Sequence, residues 1–443
     1  LMDPITRISY FGSSGVAGDA DSYFFLNIGT SGADQHRDVA IGSDDSMYFA
    51  MRGNGDAAVL KVDVDGTFQW ARRLDDSDGA IYNCNGVALD SSDNVYVSGS
   101  RIDTSTSPFS RKSFFFKYNS SGTVQFKKEF GDYQDVGEII TLNNGNILTA
   151  YFDGSKFIEF NTSGAAQNLK LFGGSTEGYN GAESEIFRQD SSGNIYFMGV
   201  TTSSGDRRLL LLKMTSSYSI TWQKTFGTGV SGEDMYSQAF DVDSSGNIYV
   251  TGFFRNTSPE QGFIIKVNSS GTLQWAKGFG NTQSEPKALV IDSSDDIYIA
   301  GRTDGNDRPT GTNGDPLAIF KFNSSGSTVW ERVFAMQDDV QPVDGLEINS
   351  LGTLIVLLRN KGTNTEGSVD SGILKIPTDG SKTGSYTFGS DTIKYESMTE
   401  SFSNLTLTTT TPTFSIASFT ETISTSTQAE VSLTMTTSTV AFS

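Results

Sequence analysis

Repetition is the feature that most constrains this chain. Asp243-Ser-Ser-Gly-Asn-Ile-Tyr-Val-Thr-Gly252 is followed by Phe263-Ile-Ile-Lys-Val-Asn-Ser-Ser-Gly-Thr-Leu-Gln-Trp-Ala-Lys-Gly-Phe-Gly280. Relatives of both halves recur at intervals of about fifty residues, a period that belongs to arrays and propellers. The first half is anchored on Tyr48, Tyr96, Ile147, Tyr196, Tyr249, Tyr298 and Leu354. The second is anchored on the charge inside an apolar run: Lys61, Lys117, Glu159, Lys213, Lys266, Lys321 and Lys375. The two sets interleave without a gap, which gives seven units between residues 38 and 390.

Each unit reads as four strands. In the fifth, Gln238–Asp243 alternates and meets Ser-Ser-Gly-Asn, a turn composition in which Gly accepts positive φ and Asn and Asp bond their own backbone. Asn247–Gly252, Phe263–Val267 and Thr272–Phe279 are three further β-rich runs with turn clusters between them, the pattern of antiparallel strands. No stretch carries helical periodicity with caps. Four short strands per repeat make one blade of a β-propeller. The expected fold is therefore all-β: a seven-bladed β-propeller of four-stranded antiparallel blades, with a Ser/Thr-rich C-terminal β tail. Trp70, Phe126, Trp222, Trp275 and Trp330 fall at equivalent fourth-strand places, where large rings fill the widening gap between blades. The inner strands are leaner, as in Gly86-Val-Ala-Leu89.

These two half-motifs resemble the seven-bladed β-propeller repeat family called SBBP repeats, over about four fifths of the chain. Unit three departs from it, with Asn143-Asn-Gly-Asn146, Glu159 in place of Lys and Leu169 without an aromatic ring. The resemblance implies a scaffold and little chemistry. Rich in Ser-Ser-Gly-Thr and Trp-x-Lys-x-Phe-Gly and joined to a Ser/Thr tail, the dialect also resembles repeat proteins of bacteriophage virions, especially tail or fibre proteins of marine phages. It resembles secreted bacterial surface proteins as well. The implied function is a non-enzymatic virion structural protein, displayed for host-surface or glycan attachment. An extracellular bacterial adhesin or cell-envelope scaffold is the alternative, and a carbohydrate-active enzyme the second alternative.

Two flanks lie outside the repeats. Residues 1–37 are expected as an irregular closure or docking segment. Ile8-Ser-Tyr-Phe-Gly12 matches the end of a fourth strand and is suited to closing the ring on blade seven, but Tyr386-Thr-Phe-Gly389 already fits blade seven's own fourth strand. Tyr23-Phe-Phe-Leu26 has no evident place. In residues 391–443, Leu405, Leu407, Phe414, Ile416, Val431, Leu433 and Met435 alternate with Ser and Thr. That is a period-two strand pattern, and such a strand needs another sheet, another subunit or a partner. The tail is thus expected to dock onto other virion proteins or to assemble copies of the chain; a disordered linker is the plain alternative.

Composition excludes several classes. With 52 acidic and 32 basic residues the net charge is −20, which argues against phosphate-backbone binding and against anionic membranes. No apolar run approaches the roughly 18 residues of a membrane span, and the start of the sequence has no signal-peptide pattern. The single cysteine, Cys84, leaves the redox compartment open and is expected to be buried. His36 is the only histidine, so a His/Cys zinc site is not available, and no nucleophile motif supports a dyad. There is no phosphate loop. Asp63-Val-Asp-Gly66 has a calcium look but lacks the later acidic ligand of an EF-hand loop and is read as a turn. The sequons at Asn119, Asn268 and Asn323 fall on the same repeat turn, and the turn explains them. No metal, cofactor or catalytic residue is expected.

One asymmetry points to a binding face. The turns after strands one and three are short and uniform, whereas those after strands two and four differ in every unit. Ile102–Arg111, Thr202–Arg208, Phe254–Gly262, Thr303–Pro316 and Asn360–Gly372 form this variable rim, and varied loops on a rigid scaffold are where binding resides. Arg52, Arg101, Arg255, Arg302 and Arg359 follow the second strand in five units. Their bidentate forks suit carboxylate and phosphate groups, and an anionic surface glycan is the ligand they would take. Solvated loop arginines offset by Asp103, Asp304 and Asp307 are the alternative.

Overall fold

Seven sheets, antiparallel but for one tail strand and arranged in chain order, make up the computed structural model, and no helix occurs among the described residues. The structure describes residues 5–11, 23–29, 34–53, 56–74, 80–131, 136–151, 156–173, 178–179, 187–203, 205–255, 260–280, 284–303, 309–310, 312, 316–336, 339–361, 369–388, 391–418, 420–425, 430–433 and 436–439. Blade one is typical. Asp34–Ile41 lies innermost, followed outward by Met47–Gly53, Asp56–Val62 and Phe68–Leu74. The fold is the seven-bladed propeller the repeat implies.

The two repeat anchors face each other across strands two and three. Tyr48 pairs with Lys61, Tyr96 with Lys117, Tyr196 with Lys213, Tyr249 with Lys266 and Tyr298 with Lys321. In each pair the ammonium lies 4.8–5.0 Å from the tyrosine ring centre, a cation–π contact. The aspartate opening the turn completes the unit: Tyr96 donates to Asp90 at 3.0 Å and Tyr298 to Asp292 at 2.9 Å. Two anchors need correction. Leu148, not Ile147, stands opposite Glu159, and Ile355, not Leu354, stands opposite Lys375. Without a tyrosine to fix it, the register of those units slipped by one in the sequence.

Joints between blades use the same repeated residues. The fourth-strand ring of one blade rests on the turn glycine of the next: a Cβ on Gly122 would lie 2.7 Å from Trp70, and one on Gly380 would lie 2.8 Å from Trp330. Trp70, Trp222 and Trp330 each donate Nε1–H to a carbonyl of that turn at 3.0 Å. On the uniform rim, Asp45, Asp93 and Asp295 take positive φ where other units have glycine. Each accepts bonds from the preceding blade, as Ser43 N–H and Oγ–H do to Asp93 at 2.9 and 2.6 Å. The monotonous rim is therefore cement for the ring. The Asp63–Gly66 segment is a turn, with Asp63 accepting from Thr67 N–H at 2.7 Å and Gln69 at 2.7 Å. Asn119 likewise caps its own turn through Thr123 N–H at 2.8 Å. Cys84 is buried.

Ring closure differs from the sequence reading. Blade seven takes Asp339–Ile348, Thr353–Lys361 and Asp370–Pro377 from one part of the chain, and Tyr23–Gly29 as its fourth strand. Ile5–Phe11 adds a fifth. Tyr23-Phe-Phe-Leu26 thus has a clear place: Phe24 stands opposite Lys375, where other blades have Trp opposite Lys. The strand Gly384–Phe388, expected to be blade seven's own fourth strand, instead forms a hairpin with Asp391–Ser397 on the outer edge of blade six. Composition cannot separate the similar aromatic segments Tyr23-Phe-Phe and Tyr386-Thr-Phe; only the ring's geometry assigns them.

The tail also pairs within the chain. After Asp391–Ser397 on blade six, Phe402–Asn404 pairs with blade five, Thr408–Thr410 with four, Ser415–Ser418 with three, Ser424–Thr425 with two and Glu430–Leu433 with one. Thr436–Thr439 then runs parallel to Ile5–Phe11 on blade seven. The tail is a belt that retraces the ring in reverse and covers the outer edge of every blade. The sheet it needed is its own propeller. Two of its phenylalanines fill gaps between blades: Phe402 packs against Phe279, Phe320 and Phe322, and Phe414 stacks 4.7 Å from Phe172.

Candidate binding site at the channel mouth

The inner strands of all seven blades line a central cavity of about 950 Å³. A bulge recurs where inner strand meets second strand: the register shifts between His36 and Asp38, Cys84 and Gly86, Val136 and Ile139, Ser237 and Ala239, Pro286 and Ala288, and Gln341 and Gly345. A bulge re-aims the extra side chain. Here Arg37, Asn85, Gln238 and Lys287 are the extra residues, and all four line the cavity.

Carboxylates lie among and beside them, and Asp38, Glu138 and Asp241 are engaged. Asp38 accepts Val87 N–H at 2.9 Å, Glu138 accepts Phe187 N–H at 2.8 Å, and Asp241 accepts Ile291 N–H at 3.0 Å. Every one of these bonds ties an inner strand to that of the next blade. Arg188 bridges Glu138 and, at 3.7 Å, Asp241. Burial pushes Asp38 up to about 7 and Glu347 up to about 8, with Asp241 also raised. Among the described residues no group of His, Cys, Asp and Glu is arranged to hold a metal ion. His36 is fully buried against Phe49, ring centres 5.1 Å apart, and burial lowers it to about 3. It is a neutral core residue.

The register places the five arginines on one rim. Arg52, Arg101, Arg255, Arg302 and Arg359 end the second strands opposite Gln35, Tyr82, Asp234, Glu285 and Gln341, at the start of the inner strands. They do not merge into one cluster. Arg52 and Arg359 line the cavity. Arg101 donates Nε–H to Tyr82 at 2.9 Å and lies 3.8 Å from Asp103. Arg302 lies 3.9 Å from Glu285. Arg255 is exposed and stacks 4.6 Å from the Tyr236 ring centre. Much of the variable rim (residues 256–259, 304–308, 313–315 and 362–368) lies outside the described residues. One expected loop is nearly absent: in blade four Ser203 pairs directly with Asp206.

Sequence reasoning missed the residues around Arg255. Tyr236 and Phe253 are a directly opposed pair, rings parallel within 3° at 5.3 Å. Arg207 of blade four lies 4.2 Å from Tyr236, and Lys287 of blade six 4.8 Å from Phe253. No repeat signal marks them, because a contact spanning three blades has no period.

With fold and rim in place, the class is a seven-bladed β-propeller closed by an N-terminal hairpin and a C-terminal belt. Residues 274–307 match the SBBP β-propeller repeat, spanning the last strand of blade five and the first two of blade six. No curated protein sequence matches the chain. Similar solved structures include virginiamycin B lyase from Staphylococcus aureus with quinupristin, at 10% identity and TM-score 0.48, covering 83% of this chain and 99% of the lyase. A gluconolactonase from Xanthomonas campestris shares 9% identity at TM-score 0.40 over 83% and 94% of the two chains. Drosophila Plexin A in complex with Semaphorin 1b shares 12% identity at TM-score 0.42 over 78% and 85%. These are likenesses of architecture only.

Proposed function

We propose that this protein is a non-catalytic scaffold that binds an anionic surface glycan on its arginine-bearing rim. The observation that carries this reading is the common register of Arg52, Arg101, Arg255, Arg302 and Arg359 at one end of the second strands. Blade-to-blade bonding holds the opposite rim. The channel carboxylates favour a scaffold over an enzyme, since Asp38, Glu138 and Asp241 spend lone pairs on neighbouring backbone. The setting we propose, a virion surface with a bacterial cell surface as alternative, rests on the repeat dialect and the covered blade edges.

The test is retention on immobilised polygalacturonate or dextran sulfate, with neutral dextran as control. The wild type is expected to bind the acidic polymers in a salt-sensitive way, and the variant with all five arginines changed to Ser is expected to lose binding. Arg52 and Arg255 are exposed and their loss should cost little stability; Arg101, Arg302 and Arg359 are half-buried, so the melting temperature of the variant is expected to fall and its retained fold is checked by circular dichroism. Equal retention of both proteins would reject the rim.

A further inference from the structure

Within that reading, and resting on it, we infer that the rim holds one built anion site, centred on Arg255 and framed by Tyr236, Phe253, Arg207 and Lys287. It would take a singly charged sugar unit such as a uronate. Three cations from three consecutive blades converge on two parallel rings. Arg207 lies 4.2 Å from Tyr236, Arg255 lies 4.6 Å from Tyr236 and 5.4 Å from Phe253, and Lys287 lies 4.8 Å from Phe253. A guanidinium lying over a ring can still direct N–H groups at a carboxylate fork, and the ring limits its motion before the ligand arrives; here that part falls to Arg255.

Among the described residues Lys287 has a carboxylate partner and Arg255 does not. Glu285 lies between Lys287 at 3.6 Å and Arg302 at 3.9 Å. Asp234 accepts the Arg207 backbone N–H at 2.9 Å. Among the described residues Arg255 has no carboxylate within ion-pair distance, and it is exposed. An incoming anion would supply the missing charge. The half-buried Tyr236 also leaves part of its ring for the C–H face of a sugar.

Charge density selects the ligand. A chain with net charge −20 repels a dense polyanion at long range. A uronate chain carries one charge per sugar and pays less of that repulsion. Nucleic acid, with a charge about every 1.7 Å of duplex, is disfavoured.

Calorimetric titration of the whole chain with trigalacturonate, maltotriose, a sulfated trisaccharide and a short DNA duplex tests the site. Trigalacturonate is expected to bind and maltotriose and DNA are not. Stronger binding of the sulfated sugar would overturn the uronate assignment. Arg255→Gln and Arg207→Gln are each expected to weaken trigalacturonate about tenfold or more, the scale of a charge-assisted bond. Tyr236→Leu should do the same while keeping every charge. Lys128→Ser, on the outer strand of blade two, removes one positive charge elsewhere and is expected to keep binding. Equal losses for Arg101→Ser and Arg255→Gln would spread the site around the rim: the arginine-rim reading would stand and the built site would fall. Polymer retention without any trisaccharide binding would likewise overturn only the built site. Loss of both would reject the two together.

Discussion

Tyr218 of blade four donates its phenol to Glu159 of blade three at 2.8 Å, and in doing so inverts the joint used elsewhere in the ring. At five other joints an aromatic ring of one blade rests on a turn glycine of the next: Trp70 on Gly122, Phe126 on Gly164, Trp222 on Gly271, Trp275 on Gly326, Trp330 on Gly380. Between blades three and four the fourth-strand position opposite Glu159 is Asn168, and the turn position is Tyr218 at φ 65°. The ring has moved from strand to turn. Glu159 replaces the usual lysine because its neighbours are now donors: Asn146, Asn168, Asn144 and Tyr218 all bond it, and these bonds hold its carboxyl below the usual range against the opposing effect of burial.

The inverted joint makes a coupled prediction. Tyr218→Gly alone should cost about 3–5 kcal/mol through the void it leaves. Glu159→Lys alone should cost about 3 kcal/mol, since it buries an unmatched cation among donors. The triple change Glu159→Lys, Asn168→Trp, Tyr218→Gly rebuilds the common joint and should recover most of the loss. Urea denaturation of the singles and the triple measures this coupling; simple additivity would contradict it.

The glycine joint separates two effects that usually mix. Gly145 has φ 81° and nothing within 4 Å of a Cβ, whereas Gly122 has φ 75° and Trp70 in contact. Gly145→Ala should cost only the left-handed conformation, about 1–2 kcal/mol. Gly122→Ala should cost that and a further 1–3 kcal/mol or so from overpacking against Trp70. Equal losses in thermal denaturation would mean that the indole yields freely.

The belt predicts the consequence of truncation. Ending the chain at Met398 removes the edge strands of blades five, four, three, two and one and the outermost strand of blade seven, and bare edges template pairing with other chains. Such a protein should aggregate in a concentration-dependent way by light scattering. Within the intact chain, Phe414→Ala should cost about 3 kcal/mol, the scale for a buried phenylalanine. A monodisperse truncated protein of unchanged melting temperature would show that the belt does not protect the ring.

Channel titration sets the slope of stability with pH. In the folded protein Asp38 sits at about 7 and Glu347 at about 8, both raised above ordinary carboxylates. Glu138, Asp241 and Arg188 face them in the channel, the first two adding to the rise and Arg188 opposing it. Between the ordinary carboxylate range and these values the folded state binds more protons than the unfolded state, so stability falls as pH rises. The protein should be more resistant to urea at pH 5 than at pH 8.5, and Glu347→Gln should flatten that slope. Below pH 4 the sign reverses, because Asp44, Asp90, Asp190 and Glu159 are held low and lose their bonds on protonation.

Sequence alone determined the blade count, the four-strand unit and the common rim of the arginines, because each follows from local alternation repeated at a fixed period. The Tyr–Lys–Trp ladder is legible for the same reason: Tyr249, Lys266 and Trp275 are neighbours across adjacent strands whatever the rest of the chain does. Three things were decided only by the tertiary structure. Phe24 takes the ring position of blade seven across about 350 residues of chain, a pairing fixed by the closing of a circle. Phe402 and Phe414 find their sockets in the propeller's own outer gaps, although a period-two strand says only that it needs a sheet. Arg207 meets Tyr236 and Lys287 meets Phe253 across three blades, and these contacts depend on the angle between blades, which no single repeat encodes.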